Sequence, residues 1–293
     1  MTGLKNALLL FCKPPIPGLV KTRLTEKRGG ALSDTEAAEF FRCSLLDITE
    51  LSMLALDDLN YLNKSARADC TDGSFEHIKE YDFFVSSISD QAILELREMY
   101  ECDGPWSHEI NYLLDRGASF DEHFDNAFDQ LFEKGYDTVV AIGGDMPLLP
   151  RTHLVDAFLW LDHLAAQNEY GYAFVQAPCQ QSGVSIVGKT RTTPMTASGI
   201  YYNLSGLPAL DAYTDKLREL DIPNAFLHPV SDVDGDEDLA HAISCLNAIA
   251  EAIPYQPDIF LARRVLEWVD KLGLQVKAPP NEAHDPRQFI DTN

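Results

Sequence analysis

The sequence predicts an α/β fold: a doubly wound, mainly parallel sheet with helices on both faces. Three observations lead there. Residues 7–11 and 138–142 are short unbroken apolar runs, the pattern of parallel strands covered on both sides. Apolar residues between and after these runs recur at helical spacing. Strands that alternate with helices of this length imply βαβ crossovers, and ligands of such sheets sit beyond the carboxyl ends of the strands.

In chain order, residues 7–11 give the first strand. Pro14, Pro15, Pro17 and Gly18 then exclude strand and helix and set a tight loop. Ser33 and Glu36 have capping-box spacing, and Ala37, Phe40, Phe41, Leu45 and Ile48 continue as a helical stripe. Residues 57–79, polar and containing Asn60, Asn63, Asp69, Asp72 and Gly73, read as a long irregular excursion before a strand at 81–85. A second polar interval precedes a strand at 112–114. Phe120, Phe124, Ala127, Phe128 and Leu131 mark a helix closed by Gly135, and the strand at 138–142 follows. Residues 172–177 and 183–187 read as strands that are partly antiparallel, and 225–230 as another. From Asp236, a stripe of Leu239, Ala242, Ile243, Leu246 and Ile249 makes a long helix. Leu261, Val265, Trp268, Val269 and Leu272 form a further helical stripe, with an extended polar tail after Pro279. The chain divides into a main domain, 1–250, and a C-terminal addition, 251–293. The last stripe needs an apolar surface, either its own domain or a second subunit, and a homodimer is the expectation.

With 293 residues and 45% hydrophobic content the chain can bury a large core. Its apolar N-terminal run is too short for a bilayer and is stopped by prolines, so no membrane span or secretory signal is readable and the cytoplasm is the expected location. Six scattered cysteines with no C-x-x-C pair argue for reduced thiols and against a zinc ribbon. The net charge is −23, yet residues 1–30 hold six cations against Glu26 alone, so this segment is +5 and the remainder −28. A basic island in an acidic protein suits one compact anion, and the overall sign argues against DNA or RNA.

Chemistry concentrates in three places. In the loop after residue 11, Lys21 and Arg23 can converge with backbone N–H groups on a phosphate. In GGDMPLL, residues 143–149, Asp145 stands just past a buried strand, where a carboxylate is costly without a partner or a metal. In SDVDGDEDL, Asp232 and Asp234 precede a helix. One or two carboxylates plus phosphate suit a hard divalent cation. Taken singly, the cations read equally as partners of nearby carboxylates, Asp145 as a turn residue, and Asp234, with Asp236, Glu237 and Asp238, as a helix cap.

Together, the segments resemble a family. Residues 11–24, FCKPPIPGLVKTRL, are similar to the signature F-x-K-x-P-x-P-G-x-V-K-T-R-L of the glycosyltransferase-like DUF2064 proteins, within the nucleotide-diphospho-sugar transferase superfamily. GGDMPLL resembles that family's G-S-D-x-P-x-L, and DVDGDEDL its D-V-D-T-P-E-D-L; the likeness runs over roughly residues 5–250. Relatives include 2-phospho-lactate guanylyltransferases. The resemblance implies a Rossmann-like GT-A sheet and a transferase, with Asp145, Lys21 and Arg23 as catalytic residues. It implies that Lys13, Gly18, Lys21, Thr22, Arg23 and Gly144 bind nucleotide phosphates, and that Asp145 and Asp234 bind Mg²⁺ or Mn²⁺. The partners would be a nucleotide or nucleotide-sugar donor and a small-molecule acceptor.

The departures matter as well. The family's E-D-G-G-Y-Y-L-I-G is replaced by QQSGVSIVG at 180–188, which removes a carboxylate, and its L-G-E-R-M by Phe120-Asp-Glu-His-Phe124. The family's W-S-T segment is not recognisable. These changes suggest an altered acceptor site or a silent binding protein. Glycosyl transfer from a nucleotide-diphospho-sugar is the favoured reaction. Nucleotidyl transfer with release of pyrophosphate, and a silent nucleotide-binding protein, are the alternatives.

Overall fold

In the first strand, Leu8 and Leu10 are fully buried on one side of the sheet, Ala7 and Leu9 on the other. Side chains alternate across a strand, so an apolar residue at every position requires cover on both faces. The computed structural model describes residues 3–69 and 79–277. Its strands are β1 (Leu4–Phe11), β2 (Lys79–Ser87), β3 (Ile110–Leu114), β4 (Thr138–Ile142), β5 (Phe174–Pro178), β6 (Val184–Thr190) and β7 (Asn224–Phe226). They form one sheet in the order β3-β2-β1-β4-β6-β5-β7, in which only β6 runs antiparallel to its neighbours. The mainly parallel, doubly wound α/β sheet expected from the sequence is the observed fold.

The helices are α1 (Asp34–Asp69), α2 (Asp90–Asp103), α3 (Phe120–Glu133), α4 (Arg151–Ala166), α5 (Ala209–Glu219), α6 (Asp236–Ala252) and α7 (Arg263–Leu272). The core on one face joins Phe41 and Leu45 of α1, Leu96 of α2 and Phe158 of α4 to Leu8, Leu10, Val140 and Ile142. The other core joins Phe124 and Phe128 of α3 and Tyr213 of α5 to Leu9, Val139 and Ala141. At the start of α1 the capping box is present: Glu36 N–H donates to Ser33 Oγ at 3.2 Å, and Ser33 N–H to Glu36 at 2.7 Å.

Several expectations need correction. Residues 57–69 are not an irregular excursion but the continuation of α1, because Leu59 is buried in the core and Asn63, instead of making a turn, donates its side-chain N–H to the Lys79 carbonyl. The rest of that predicted excursion, 70–78, lies outside the described residues, as does the tail after Pro279. The polar interval before β3 contains α2, whose Ala92, Leu96 and Tyr100 are buried at four-residue spacing and whose Ser89 side chain caps its N-terminus. The strand expected at 225–230 is short because Pro229 has no N–H, although Leu227 and Val230 still donate to carbonyls of β5.

The stripe of α7 is buried within the chain. Val265, Trp268 and Val269 pack with Phe40 of α1 and with Leu239, Ile243 and Leu246 of α6, and the Phe40 and Trp268 rings lie 5.5 Å apart. Arg264 pins the helix to α1 and α2, donating to Asp47 at 3.0 Å, Glu50 at 2.6 Å and Asp103 at 3.0 Å. The surface on which a homodimer was expected is therefore consumed by the chain's own domain.

Candidate active site

The carboxyl ends of β1 and β4 open on the same sheet edge, since the two strands are parallel neighbours. The loop after β1 turns at Gly18, φ 79°, and again at Lys21, φ 47°, a left-handed value uncommon for a residue with a side chain and typical of functional sites. After β4, Gly144 lies against α1 so closely that a Cβ there would stand 2.3 Å from Leu45 Cδ2, and its carbonyl accepts from Ser44 Oγ at 2.8 Å. This contact fixes Asp145. The third segment is tied to the second by backbone, Val233 N–H donating to the Asp145 carbonyl at 2.9 Å.

These supports bring three distant segments to one point. Lys21 Nζ donates to Asp145 Oδ2 at 2.6 Å and to Asp234 Oδ1 at 2.9 Å, and Arg23 Nη1 to Asp234 Oδ2 at 2.9 Å. The ambiguity over Asp234 is thereby resolved. Helix α6 is capped by Asp238, which accepts from the N–H groups of Asp234 and Gly235, while the Asp234 carboxylate turns to the cations. Lys13, Lys21, Gly144, Asp145 and Asp234 all line a cavity of about 550 Å³; Gly18, Thr22 and Arg23 do not line it. Arg23 is mostly exposed and reaches the site only through Asp234.

The cluster is electrostatically tight. Burial disfavours the Lys21 ammonium, but Asp145 and Asp234 outweigh it and hold the pKa above the ordinary lysine value. Burial works against the Asp234 carboxylate too, yet Lys21 and Arg23 bring its pKa below the usual range. Asp232, in the same cavity, is pushed up to about 6, by burial first and then by the negative charge of Asp145 and Asp234. Burial pushes the Cys179 thiol up to about 12 and raises Cys12 as well, so neither wall thiol is a nucleophile at neutral pH.

Gln180, where the resembled family has a carboxylate, grips the third segment. It donates from Nε2 to the Asp232 carbonyl and accepts at Oε1 from Asp232 N–H, both at 3.1 Å. The sequence reading missed two further groups. His123, in the first turn of α3, meets Asp115 at the end of β3, with Nδ1 2.6 Å from Oδ1, and both line the cavity. The wall beside them is aromatic, built from Phe11, Phe120, Phe124, Tyr201 and Tyr202. Phe120 and Phe124 were visible as a helix stripe and the whole segment as a departure from the resembled family, but the His within it has no partner in the sequence pattern until Asp115 folds against it.

Among the described residues, no group of three or more His, Cys, Asp or Glu side chains has metal-binding geometry, and no helix is long and apolar enough to cross a membrane. No curated protein matches the chain. Among solved structures, a provisionally named nucleotide-diphospho-sugar transferase from Desulfovibrio desulfuricans G20 matches 91% of this chain and 96% of its own, with 22% identity and a TM-score of 0.64. A cytidylyltransferase from Leptospira borgpetersenii covers 93% of this chain and 96% of its own, with 14% identity and a TM-score of 0.43. Rv0371c from Mycobacterium tuberculosis, in complex with manganese, covers 83% and 100%, with 10% identity and a TM-score of 0.36. Likeness as loose as that of the last two says nothing about chemistry. Residues 84–203 match the model of DUF2064, described as an uncharacterized protein conserved in bacteria; the stretch includes GGDMPLL but neither the basic loop nor the second acidic segment. Over residues 84–203, then, the chain matches the DUF2064 model, and it shares the fold of the Desulfovibrio structure.

Proposed function

We propose that the protein is a metal-dependent transferase that takes a nucleotide-diphospho-sugar as donor and transfers the sugar to a small-molecule acceptor. The observation that carries this reading is the Lys21 ammonium held between Asp145 and Asp234 at the carboxyl edge of a doubly wound sheet, where such folds bind phosphorylated ligands. The name of the Desulfovibrio structure points the same way.

Asp145 and Asp234 converge on Lys21, and two carboxylates that share a cation's shell with phosphate oxygens suit a hard divalent ion. Asp145 and Asp234 would hold Mg²⁺ or Mn²⁺, which would supply charge neutralisation for the donor diphosphate. Lys21 lies at the same two carboxylates and donates to phosphate oxygens, Lys13 adds charge from the start of the loop, and Arg23 closes the outer rim. As the sugar–phosphate bond breaks, negative charge grows on the leaving diphosphate, and these cations are in place to offset it. Gln180 in place of a carboxylate is consistent with an intact donor side, because its amide clamps the segment that carries Asp232 and Asp234.

The test is to incubate the protein with a panel of nucleoside triphosphates and nucleotide sugars plus Mg²⁺ or Mn²⁺ and identify the products. Free nucleoside diphosphate supports the proposal. Pyrophosphate would make the protein a nucleotidyltransferase, and binding without either product would make it a silent nucleotide-binding protein.

A further inference from the structure

We propose that His123, oriented by the buried Asp115, is the general base of the transfer and that the acceptor is therefore a hydroxyl compound bound on the aromatic wall. The inference rests on the transferase reading above and concerns the opposite half of the same cavity.

Asp115 has a fully buried side chain that accepts from Ser86 Oγ at 2.6 Å and faces His123 Nδ1 at 2.6 Å. A buried carboxylate anchored on one side and facing a ring nitrogen on the other orients that ring. A neutral imidazole that donates from Nδ1 carries its lone pair on Nε2. His123 lines the cavity with Nδ1 engaged, so Nε2 is the nitrogen left for a ligand. A base held in turn by a third group is the arrangement that proton abstraction from a weak acid requires.

A second observation places the acceptor. Asp121, two residues before His123, accepts from the N–H groups of Gly199 at 2.8 Å, Ile200 at 3.2 Å and Tyr201 at 3.2 Å. It thereby holds Tyr201 with its ring centroid 5.0 Å from that of Phe120, and Tyr202 stands 5.7 Å from Phe120. Asp121 and His123 occupy the two positions where the resembled family has Gly and Arg, so both departures serve one wall. That wall offers apolar ring faces beside one basic nitrogen. It suits the C–H face of a sugar or another ring bearing a hydroxyl.

The step balances without another reagent. The acceptor O–H gives its proton to His123 Nε2 as its oxygen bonds to the anomeric carbon. The bond from that carbon to the diphosphate oxygen breaks, and its electron pair leaves with the nucleoside diphosphate. A phosphate acceptor arrives as an anion and needs no such base, so the dyad belongs with a hydroxyl.

His123→Gln and Asp115→Asn test this. Calorimetry with UDP and GDP in Mn²⁺ reports donor binding. Release of nucleoside diphosphate from UDP- and GDP-sugars, with glycerol, monosaccharides and phenols as acceptors, reports turnover. For His123→Gln we expect nucleotide affinity to stay within about twofold and turnover to fall about 100-fold or more. Nitrogen-15 NMR of the wild type should show His123 protonated at Nδ1, and Asp115→Asn should shift that tautomer and lower turnover at unchanged nucleotide affinity. Wild-type turnover in His123→Gln, or a His123 protonated at Nε2 alone, would overturn the base. Lost nucleotide affinity in His123→Gln would make the residue a donor ligand instead. A wild type that releases diphosphate from no donor would overturn the transferase reading and the base with it.

Discussion

Replacing Lys21 by alanine should move two affinities in opposite directions. The side chain is 7% exposed and makes two charge-assisted hydrogen bonds, at 2.6 and 2.9 Å, to Asp145 and Asp234. A hydrogen bond to a charged group is worth about 1.5–3 kcal/mol, so losing the lysine as a phosphate donor should weaken nucleoside diphosphate binding by about 10- to 150-fold. The same change leaves two carboxylates facing each other with Arg23 as their remaining cation, so Mn²⁺ should bind more tightly in the absence of nucleotide. Arg23→Ala should cost less, about 1 kcal/mol, because its guanidinium is 68% exposed and screened by water. Titration calorimetry of both variants with UDP, GDP, CDP and ADP, and separately with Mn²⁺, measures all of this. Unchanged affinity of Lys21→Ala for every nucleotide that the wild type binds would refute the assignment of Lys21 to the donor phosphates, and weaker Mn²⁺ binding would refute the assignment of Asp145 and Asp234 to the metal.

Further outcomes are expected. Wild-type nucleotide affinity should rise with Mn²⁺ and Asp145→Asn should abolish that dependence, read by the same calorimetry; an Asp145→Asn variant that keeps it would refute Asp145 as a metal ligand. Gln180→Glu replaces a donor by an acceptor against the Asp232 carbonyl and beside Asp238, so it should lower stability by about 1–3 kcal/mol in denaturant unfolding; a more stable variant would contradict the clamp. Trp268→Ala should cost about 3–5 kcal/mol, and deletion of 255–293 should lower the melting temperature while sparing nucleotide binding, because α7 fills a core but contributes no residue to the cavity lining; a deletion as stable as the full chain would show that α7 is dispensable. Asp47 is pushed up to about 6, by burial first and against the pull of Val265 N–H and Arg264. Its folded-state pKa thus exceeds the unfolded value, the folded state keeps the proton longer, and its contribution to stability should fall as pH rises from about 4 to 6 and level off above; unfolding of the wild type against Asp47→Asn across pH 4–7 checks the sign.

Where the sequence was legible, a single physical signal sufficed. The strand at Thr138–Ile142 was delimited correctly because its run is short, rich in β-branched residues and stopped by Gly143 and Gly144. Helix α4 escaped notice because Leu159 and Trp160 are exposed while Leu154, Ala157, Phe158 and Leu161 are buried, which blurs the stripe. In α2 only three buried residues stand among acidic ones, and polarity reads as loop when periodicity is that sparse. The end of α1 was misplaced because Asn60 and Asn63 are turn formers in isolation, whereas here packing of Leu59 decides the conformation.

The sequence by itself determined the layers of the fold, through residues whose burial is a property of local spacing, and it marked the basic loop and both acidic segments as places where chemistry concentrates. It could not assign roles within them, since a carboxylate before a helix has one signature whether it caps the helix or meets a cation. Tertiary structure made that choice. It brought Lys21 to Asp145 and Asp234 across 124 and 213 residues of chain, gave the cap to Asp238, and turned His123 on α3 to the aspartate that follows β3. Polar contacts of this kind depend on direction and on distances of about 3 Å, whether the partners lie 8 or 213 residues apart, and no periodicity in the sequence encodes them.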